Sequence, residues 1–167
     1  MKHPFRRIGA YLVDYCVILL WMAALFGAAG LGWLTIDMPE VFTTKARWIA
    51  QGQAFLMVTL PVCLYFILCE MAGWKATLGK RVTKLTVEGR PAQIILRNIL
   101  KFAPWEMAHT GIWHGMDVPF GSAPTTLGWT LFAVSMGLSG LYLISLFIGD
   151  GRPPYDRLAG TRVVRLS

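Results

Sequence analysis

Charged residues are scarce in this chain of 167 residues. They make up 15% of it, against about a quarter in an ordinary soluble domain, while 55% of the residues are apolar. This composition excludes disorder and a coiled coil, and the apolar residues come in blocks that need lipid around them. The sequence therefore predicts an integral membrane protein, and its length predicts a single domain over 1–167.

Residues that usually carry catalysis or hold a metal are also few. The three cysteines form no CxxC pair, and His109 and His114 are five residues apart, which on a helix points them away from each other. The stretch 73–81 resembles a phosphate-binding P-loop only superficially, because its glycine spacing is wrong and an arginine stands where Ser or Thr is required. With no nucleophile and base identifiable, we expect no enzyme activity, no cofactor and no metal.

The apolar blocks predict the membrane helices. Blocks 8–34, 54–73 and 127–149 are each long enough for the roughly 20 residues that cross a hydrocarbon core. The segment 102–120 is apolar in texture but carries several polar residues, so hydropathy alone does not decide whether it crosses.

The distribution of basic residues decides that question. All but two of the 16 lie in the N-terminal tail, in the loop 75–101 or in the tail 150–167. The positive-inside rule places these segments, and hence both termini, in the cytoplasm. An even number of crossings is then required, so we predict that 102–120 is the third of four transmembrane helices. The same basic segments predict contact with anionic lipid headgroups rather than with nucleic acid.

Three acidic residues inside or beside the apolar blocks are candidate proton or ion sites. Asp14 lies on one stripe of the first helix with Arg7 and Ala10, and Glu70 and Glu106 come from the second and third helices. We expect the three carboxylates to share one layer near the cytoplasmic face, where each needs a partner because an unpaired charge at that depth is costly. The candidate charge partners are Arg7, Arg97 and Lys101.

This layer supports two hypotheses. Clustered carboxylates would allow exchange of protons for monovalent cations, which would make the chain a small transporter or a transporter subunit. Alternatively, the acids pair with arginines to fix the helices, and the chain is an accessory or assembly protein without transport or catalysis of its own.

Three motifs in order along the chain resemble those of the RDD family of small bacterial integral membrane proteins. They are R-x-x-A-x-x-x-D in the first helix, T-x-G-K followed by L-x-V in the loop, and D-x-x-x-x-T-x-V-V in the tail. The matching residues are Arg7, Ala10, Asp14, Thr77, Gly79, Lys80, Leu85, Val87, Asp156, Thr161, Val163 and Val164. The resemblance covers nearly the whole chain. It implies a helical protein of the bacterial inner membrane and suggests a transport role.

The tail predicts a contact between distant parts of the chain. Pro153 and Pro154 prevent the last helix from continuing and direct the tail back under the bundle. Asp156 and Arg7 then lie just outside the cytoplasmic ends of the last and first helices. We expect the Arg7 guanidinium to donate a charge-assisted hydrogen bond to the Asp156 carboxylate.

Short strands are predicted on the cytoplasmic side. The turn signal at 88–90 indicates a strand pair within the loop, and the β-branched residues of 161–164 predict a strand beside 82–87. The predicted fold is therefore an all-α integral membrane protein, a bundle of four transmembrane helices with a small cytoplasmic strand pair. Small residues at 27–32 offer a surface for packing into a homo-oligomer.

Overall fold

A computed structural model of the chain describes residues 3–32 and 42–166, and the fold within these ranges is mainly helical. The predicted end of the first helix near residue 34 lies outside the described residues. The elements are, in chain order, α1 (Pro4–Gly30), α2 (Thr44–Ala54), a π-helical segment (Phe55–Thr59), α3 (Leu60–Met71), α4 (Leu78–Val82), β1 (Leu85–Glu88), α5 (Pro91–His114), α6 (Thr126–Ile144), α7 (Pro154–Leu158) and β2 (Arg162–Arg165).

Three helices of the described residues are long and apolar enough to cross a membrane. They are Pro4–Gly30, Thr44–Met71, which runs through α2 and α3, and Thr126–Ile144. Only 6%, 22% and 11% of their apolar windows are buried inside the chain, so most of this surface faces outward. Apolar surface of that extent needs lipid rather than water around it. The fourth predicted span, now part of α5, is not among these three.

The second membrane helix begins ten residues earlier than predicted, at Thr44 rather than 54. The hydroxyl of Thr43 accepts a hydrogen bond from the backbone N–H of Ala46 and so caps the helix. The apolar block predicted only the second part of this helix. Its first turns carry Lys45, Arg47 and Gln51, so they do not belong to an apolar block.

The third helix also differs from its predicted bounds, since α5 begins at Pro91 and ends at His114 instead of spanning 102–120. A proline at the first helical position has its backbone angle already set for a helix, which explains the early start. Gly115 follows α5 and lies so close to Gly128 of α6 that an added Cβ would come within 2.3 Å of the Gly128 Cα. This contact turns the chain directly from α5 towards α6, which itself ends at Ile144 rather than 149.

Successive long helices run in opposite directions. At one end of the bundle, Arg47 near the start of α2 donates hydrogen bonds of 2.7 Å to the carbonyls of Trp113, Met116 and Asp117, at and just beyond the end of α5. At the other end, buried ion pairs join the start of α1, the end of α3, the start of α5 and the tail. The helices therefore alternate up and down.

Pro61 interrupts the backbone ladder of the second membrane helix. A proline offers no N–H to the carbonyl four residues before it, which here is that of Met57 in the π-helical segment. The indole N–H of Trp21 in α1 donates to this carbonyl at 3.0 Å. A neighbouring helix thus satisfies a polar group that lipid could not.

Pro104 in α5 is compensated in the same way. The carbonyl it leaves without a backbone donor is that of Leu100, which accepts from the Tyr142 hydroxyl of α6 at 3.0 Å. The carbonyl of Pro104 itself accepts from the Ser135 hydroxyl at 2.6 Å. These two contacts tie α5 to α6 in the middle of the bundle.

β1 and β2 form an antiparallel pair that joins the loop to the tail. Leu85 lies opposite Arg165, and Glu88 lies opposite Arg162. The predicted tail strand is confirmed, whereas the predicted strand pair within the loop is wrong. The turn signal at 88–90 instead leads straight into α5, because Pro91 starts a helix there.

Candidate functional site

The buried residues of α1 are Arg7, Ala10 and Asp14, and they form the stripe that the sequence predicted. The rest of the helix is largely exposed, as expected for a lipid-facing span. The stripe faces α4 and the tail, so the polar residues of the first helix are directed at these two segments of the chain.

The Asp14 carboxylate is held by hydrogen-bond donors rather than by a cation. It accepts from the Tyr65 hydroxyl at 2.9 Å, from the Thr77 hydroxyl at 2.7 Å and from the backbone N–H of Gly79 at 2.8 Å. The Thr77 hydroxyl also caps α4 by accepting from the N–H of Lys80. Asp14 therefore fixes the short helix α4 against α1, with Tyr65 of α3 as the third member.

Gly79 explains why this contact is so close. A Cβ built at this position would lie 2.0 Å from the carbonyl oxygen of Ala10 and 2.9 Å from Cγ of Asp14. Backbone touches backbone here, and only glycine fits. The motif residues of the first helix and of the loop are thus matched in shape as well as in hydrogen bonding.

A second set of side chains, which we call the ion cluster, consists of Arg7, Glu70, Lys80, Arg97 and Asp156. Each has at most a few per cent of its surface exposed, with Arg7 the most exposed at 7%. They come from α1, α3, α4, α5 and α7, so the cluster joins segments from all along the chain. No other set of ion pairs in the described part of the chain links so many elements.

Glu70 is the first carboxylate of the ion cluster. It accepts from the Lys80 ammonium at 2.8 Å and from Nη1 of Arg97 at 2.8 and 2.6 Å, and the Asn98 amide donates to it at 2.9 Å. Two cations and a neutral donor therefore surround one buried negative charge. Arg97, one of the three candidate charge partners, thus lies against Glu70.

Asp156 is the second carboxylate, and its predicted pairing with Arg7 is also confirmed. Nη2 of Arg7 donates to Oδ2 at 2.7 Å, Nε of Arg97 donates to Oδ1 at 2.7 Å, and the Thr161 hydroxyl donates to Oδ1 at 3.1 Å. Burial alone would raise the pKa of the Asp156 carboxyl, but the charges of Arg97 and Arg7 outweigh it and hold the pKa below its ordinary value.

Arg97 connects the two carboxylates. Its guanidinium donates through Nη1 to Glu70 and through Nε to Asp156, and its side chain is wholly buried. The planar fork of arginine suits this bridging position, because it presents several donors in one fixed geometry. Lysine could not reach both partners with the same rigidity.

Lys101 is not a partner of any carboxylate, contrary to the prediction. Its ammonium lies 3.3 Å from the centre of the Phe66 ring and makes no hydrogen bond within the described ranges. The stabilisation available there is a cation–π contact, which needs no acidic partner.

Glu106 does not lie in the same layer as Asp14 and Glu70, so the prediction of one layer of three carboxylates is wrong. It lies roughly 13 Å further along α5 than Arg97, at 1.5 Å per residue. Glu106 accepts from the Thr59 hydroxyl, and Nδ1 of His109 lies 3.4 Å from its Oε1. We call Glu106 and His109 the Glu106 pair.

The described residues contain no group of three or more His, Cys, Asp or Glu side chains placed to hold a metal ion. His109 lies against Trp105, while the ring of His114 contacts Trp48 and its Nε2 lies 2.8 Å from the Gln51 side chain. The two histidines are thus in separate surroundings, as their spacing predicted.

Sequence reasoning missed two residues of this site. Tyr65 bonds Asp14, but it lies on another helix, and no spacing along the chain connects the two. Lys80 was noted only as part of a motif, and its pairing with Glu70 depends on the turn between α3 and α4. Asn98 carried a weak signal, since the Arg97-Asn98 pair resembles one that often precedes a membrane segment in the RDD family.

Comparison with known proteins shows that the chain belongs to the RDD family. The model of this family matches residues 1–160, which is nearly the whole chain. No curated protein and no solved structure gave a match. The motif residues that carried the resemblance lie in the ion cluster, around Asp14 or in the strand pair beside them.

Proposed function

We propose that this member of the RDD family is an accessory membrane protein without catalytic activity, whose ion cluster holds its helices and its tail in one fixed arrangement. One observation carries the proposal. Both carboxylates of the cluster are compensated by cationic side chains, Glu70 by Lys80 and Arg97, and Asp156 by Arg97 and Arg7.

Carboxylates held in this way are poorly suited to carrying ions. A carrier has to exchange its proton or cation during each cycle, but protonation of Glu70 would leave Lys80 charged and buried without an anion, and would leave Arg97 with Asp156 alone. Breaking a buried ion pair by removing one partner costs about 3–5 kcal/mol. We therefore assign Glu70 and Asp156 a structural role.

Asp14 fits the same role for a different reason. Its donors are two hydroxyls and one backbone N–H, and together they occupy both carboxylate oxygens. No cationic side chain of the described residues pairs with it, and only 1% of the residue is exposed.

The proposal includes four membrane crossings with both termini on the cytoplasmic side of a bacterial inner membrane. In support, α5 has 24 residues, which gives it a length of about 36 Å against a hydrocarbon core of about 30 Å. Its exposed large side chains are apolar, namely Ile95, Leu96, Ile99 and Trp105, while Arg97 lies inside the ion cluster. The homo-oligomer stays a prediction, and the surface at Gly27 and Gly30 is open for it.

Cysteine labelling tests the topology. In a background without the native cysteines, Lys45→Cys and Ser122→Cys should react with an impermeant reagent added outside, whereas Arg90→Cys and Ser167→Cys should react only after permeabilisation. Labelling of position 167 from outside would rule out four crossings.

A second candidate function, proton transport, is favoured by the Glu106 pair. This carboxylate has no arginine or lysine partner among the described residues, and 27% of its side chain is exposed. Glu106 and His109 are both titratable, and Gln51, Thr110 and His114 extend the polar contacts along α5. Such a line of groups is typical of a proton relay.

Vesicles with an imposed pH gradient distinguish the two functions. For an accessory protein, we expect the wild-type chain to dissipate the gradient no faster than empty vesicles, with any monovalent cation present. Dissipation that disappears in Glu106→Gln but survives in Glu88→Gln, an exposed acid outside the membrane, would overturn the proposal and establish transport.

A further inference from the structure

We propose that a cleft beside the tail binds the phosphate group of an anionic phospholipid. The cleft has a volume of about 280 Å³ and lies between the start of α1, the turn after α6 and the strand pair. We call it the basic cleft, because four arginines and only one carboxylate line it. These residues are Arg7, Arg152, Arg162, Arg165 and Asp150. The inference does not depend on the accessory role.

Arg162 and Arg165 give the basic cleft a positive charge that no carboxylate of the described residues cancels, whereas Arg7 is paired with Asp156. Asp150 accepts from Nη2 of Arg157 at 2.9 Å and lies 4.0 Å from Nη1 of Arg152. Arg162 and Arg165 have no hydrogen bond or ion pair through their side chains in the part of the chain that the structure describes. Glu88 lies opposite Arg162 in the strand pair but forms no ion pair with it within 4 Å.

Arg152 supplies an unused donor in a fixed position. Its Nη2 donates to the carbonyls of Asp156 at 3.2 Å and Thr161 at 2.8 Å, which holds the guanidinium in place. Its Nε is buried and has no hydrogen-bond partner within the described ranges. A buried N–H without a partner is unfavourable. The exposed guanidinium groups of Arg162 and Arg165 can each donate charge-assisted bonds to a phosphate oxygen in the cleft.

The place of the basic cleft favours a lipid over a soluble phosphate compound. It lies where α1 begins and just after α6 ends, which is the depth of the headgroups at the membrane surface. The same two segments expose Phe5, Phe147 and Ile148. A lipid can occupy both surfaces at once, with its phosphate in the cleft and its acyl chains against these residues.

Lipid titration of the full-length protein in detergent tests the assignment. The ligands are phosphatidylglycerol, phosphatidylcholine of the same chain length, and inorganic phosphate, with bound lipid counted by native mass spectrometry. We expect phosphatidylglycerol to bind most tightly. Arg162→Gln with Arg165→Gln should weaken it roughly 30-fold, at about a fivefold loss for each arginine.

A matched double variant provides the control. Lys75→Gln with Lys84→Gln also removes two exposed positive charges on the cytoplasmic side, outside the cleft, and should bind phosphatidylglycerol like the wild type. Equal losses in both double variants would overturn the cleft as a site. Equal binding of phosphatidylcholine would overturn recognition of an anion.

Competition with inorganic phosphate decides whether the phosphate group in the cleft belongs to a lipid or to a soluble compound. If inorganic phosphate displaces phosphatidylglycerol at comparable concentrations, the site belongs to a soluble phosphate compound and the lipid assignment is overturned.

Arg162 and Arg165 are exposed, so their double variant should unfold at the wild-type temperature without lipid. If it does not fold, Arg165→Gln alone should still show about a fivefold loss.

Discussion

The ion cluster and the Glu106 pair lie on the same helix, α5, but their carboxylates are held differently. In the cluster, Glu70 and Asp156 are wholly buried and each touches two cationic side chains. In the pair, Glu106 is partly exposed and has a hydroxyl and a histidine as partners. A carboxylate with two cationic partners fixes structure, whereas one held by a hydroxyl and a histidine joins fewer elements of the fold.

The largest effect should come from breaking the ion cluster at its centre. Arg97→Gln removes the bridge between Glu70 and Asp156 and leaves each carboxylate with one cationic partner, Lys80 and Arg7 respectively. Each charge-assisted bond lost is worth about 1.5–3 kcal/mol, so we expect the loss of both to cost about 3–6 kcal/mol of unfolding free energy. Glu106→Gln in the other region should cost about 0–1 kcal/mol, since its partners are partly exposed. Equal losses of stability, measured by denaturation in detergent, would remove the distinction between the two regions.

Gly79→Ala should give the next largest effect. The added Cβ would meet the Ala10 carbonyl at 2.0 Å, so α4 would have to move away from α1, at a cost of about 1–3 kcal/mol. The control is Gly137→Ala in α6, where no atom lies within 4 Å of an added Cβ. Thermal unfolding of the two variants tests the close contact, and a neutral Gly79→Ala would contradict it.

Substitutions of Asp14 test whether this residue stabilises the fold, as the carboxylates of the ion cluster do. Asp14→Asn keeps an acceptor for Gly79 and Tyr65, and its amide can donate to the Thr77 hydroxyl, so we expect near-normal abundance. Asp14→Leu leaves the buried N–H of Gly79 without an acceptor and should cost about 1–3 kcal/mol. Normal abundance of both variants would mean that the hydrogen bonds seen around Asp14 do not stabilise the fold.

The smallest effect is expected from acid. Because the pKa of Asp156 is held below its ordinary value of 3.8, the carboxylate stabilises the fold fully above that value and loses its contribution as the pH falls through the lowered pKa. The unfolding free energy of Asp156→Asn should therefore fall less than that of the wild type between pH 5 and pH 3. This range brackets roughly the pKa of an aspartate in the unfolded chain. Unfolding midpoints across this range measure the difference, with Glu88→Gln as the control, since Glu88 is exposed and forms no ion pair among the described residues.

The sequence allowed the first and last parts of this site to be predicted but not its middle. The stripe of Arg7, Ala10 and Asp14 follows from helical spacing alone, and the contact of Arg7 with Asp156 follows from where the first and last helices end. The pairing of Glu70 with Lys80 depends on a turn and a five-residue helix, α4, whose orientation no periodicity records.

The misplacement of Glu106 has a physical cause. Hydropathy excludes arginine and lysine from a membrane helix, so the third helix was predicted to begin after Lys101, which put Glu106 near its cytoplasmic end. In the structure, Arg97 is paired inside the ion cluster and Lys101 lies on an aromatic ring, so α5 already begins at Pro91. Charges that find partners inside the fold do not end a helix.

The sequence positions of the ion cluster also fix the order in which it is completed during synthesis. Arg7 is made first and Asp156 last, so the long helices of the described chain are all synthesised before the carboxylate shared by Arg7 and Arg97. Until then Arg7 lacks its carboxylate partner, Arg97 has Glu70 alone, and β1 has no strand to pair with. Synthesis of the tail supplies these partners at once, so the completed ion cluster and strand pair report that α6 has been made.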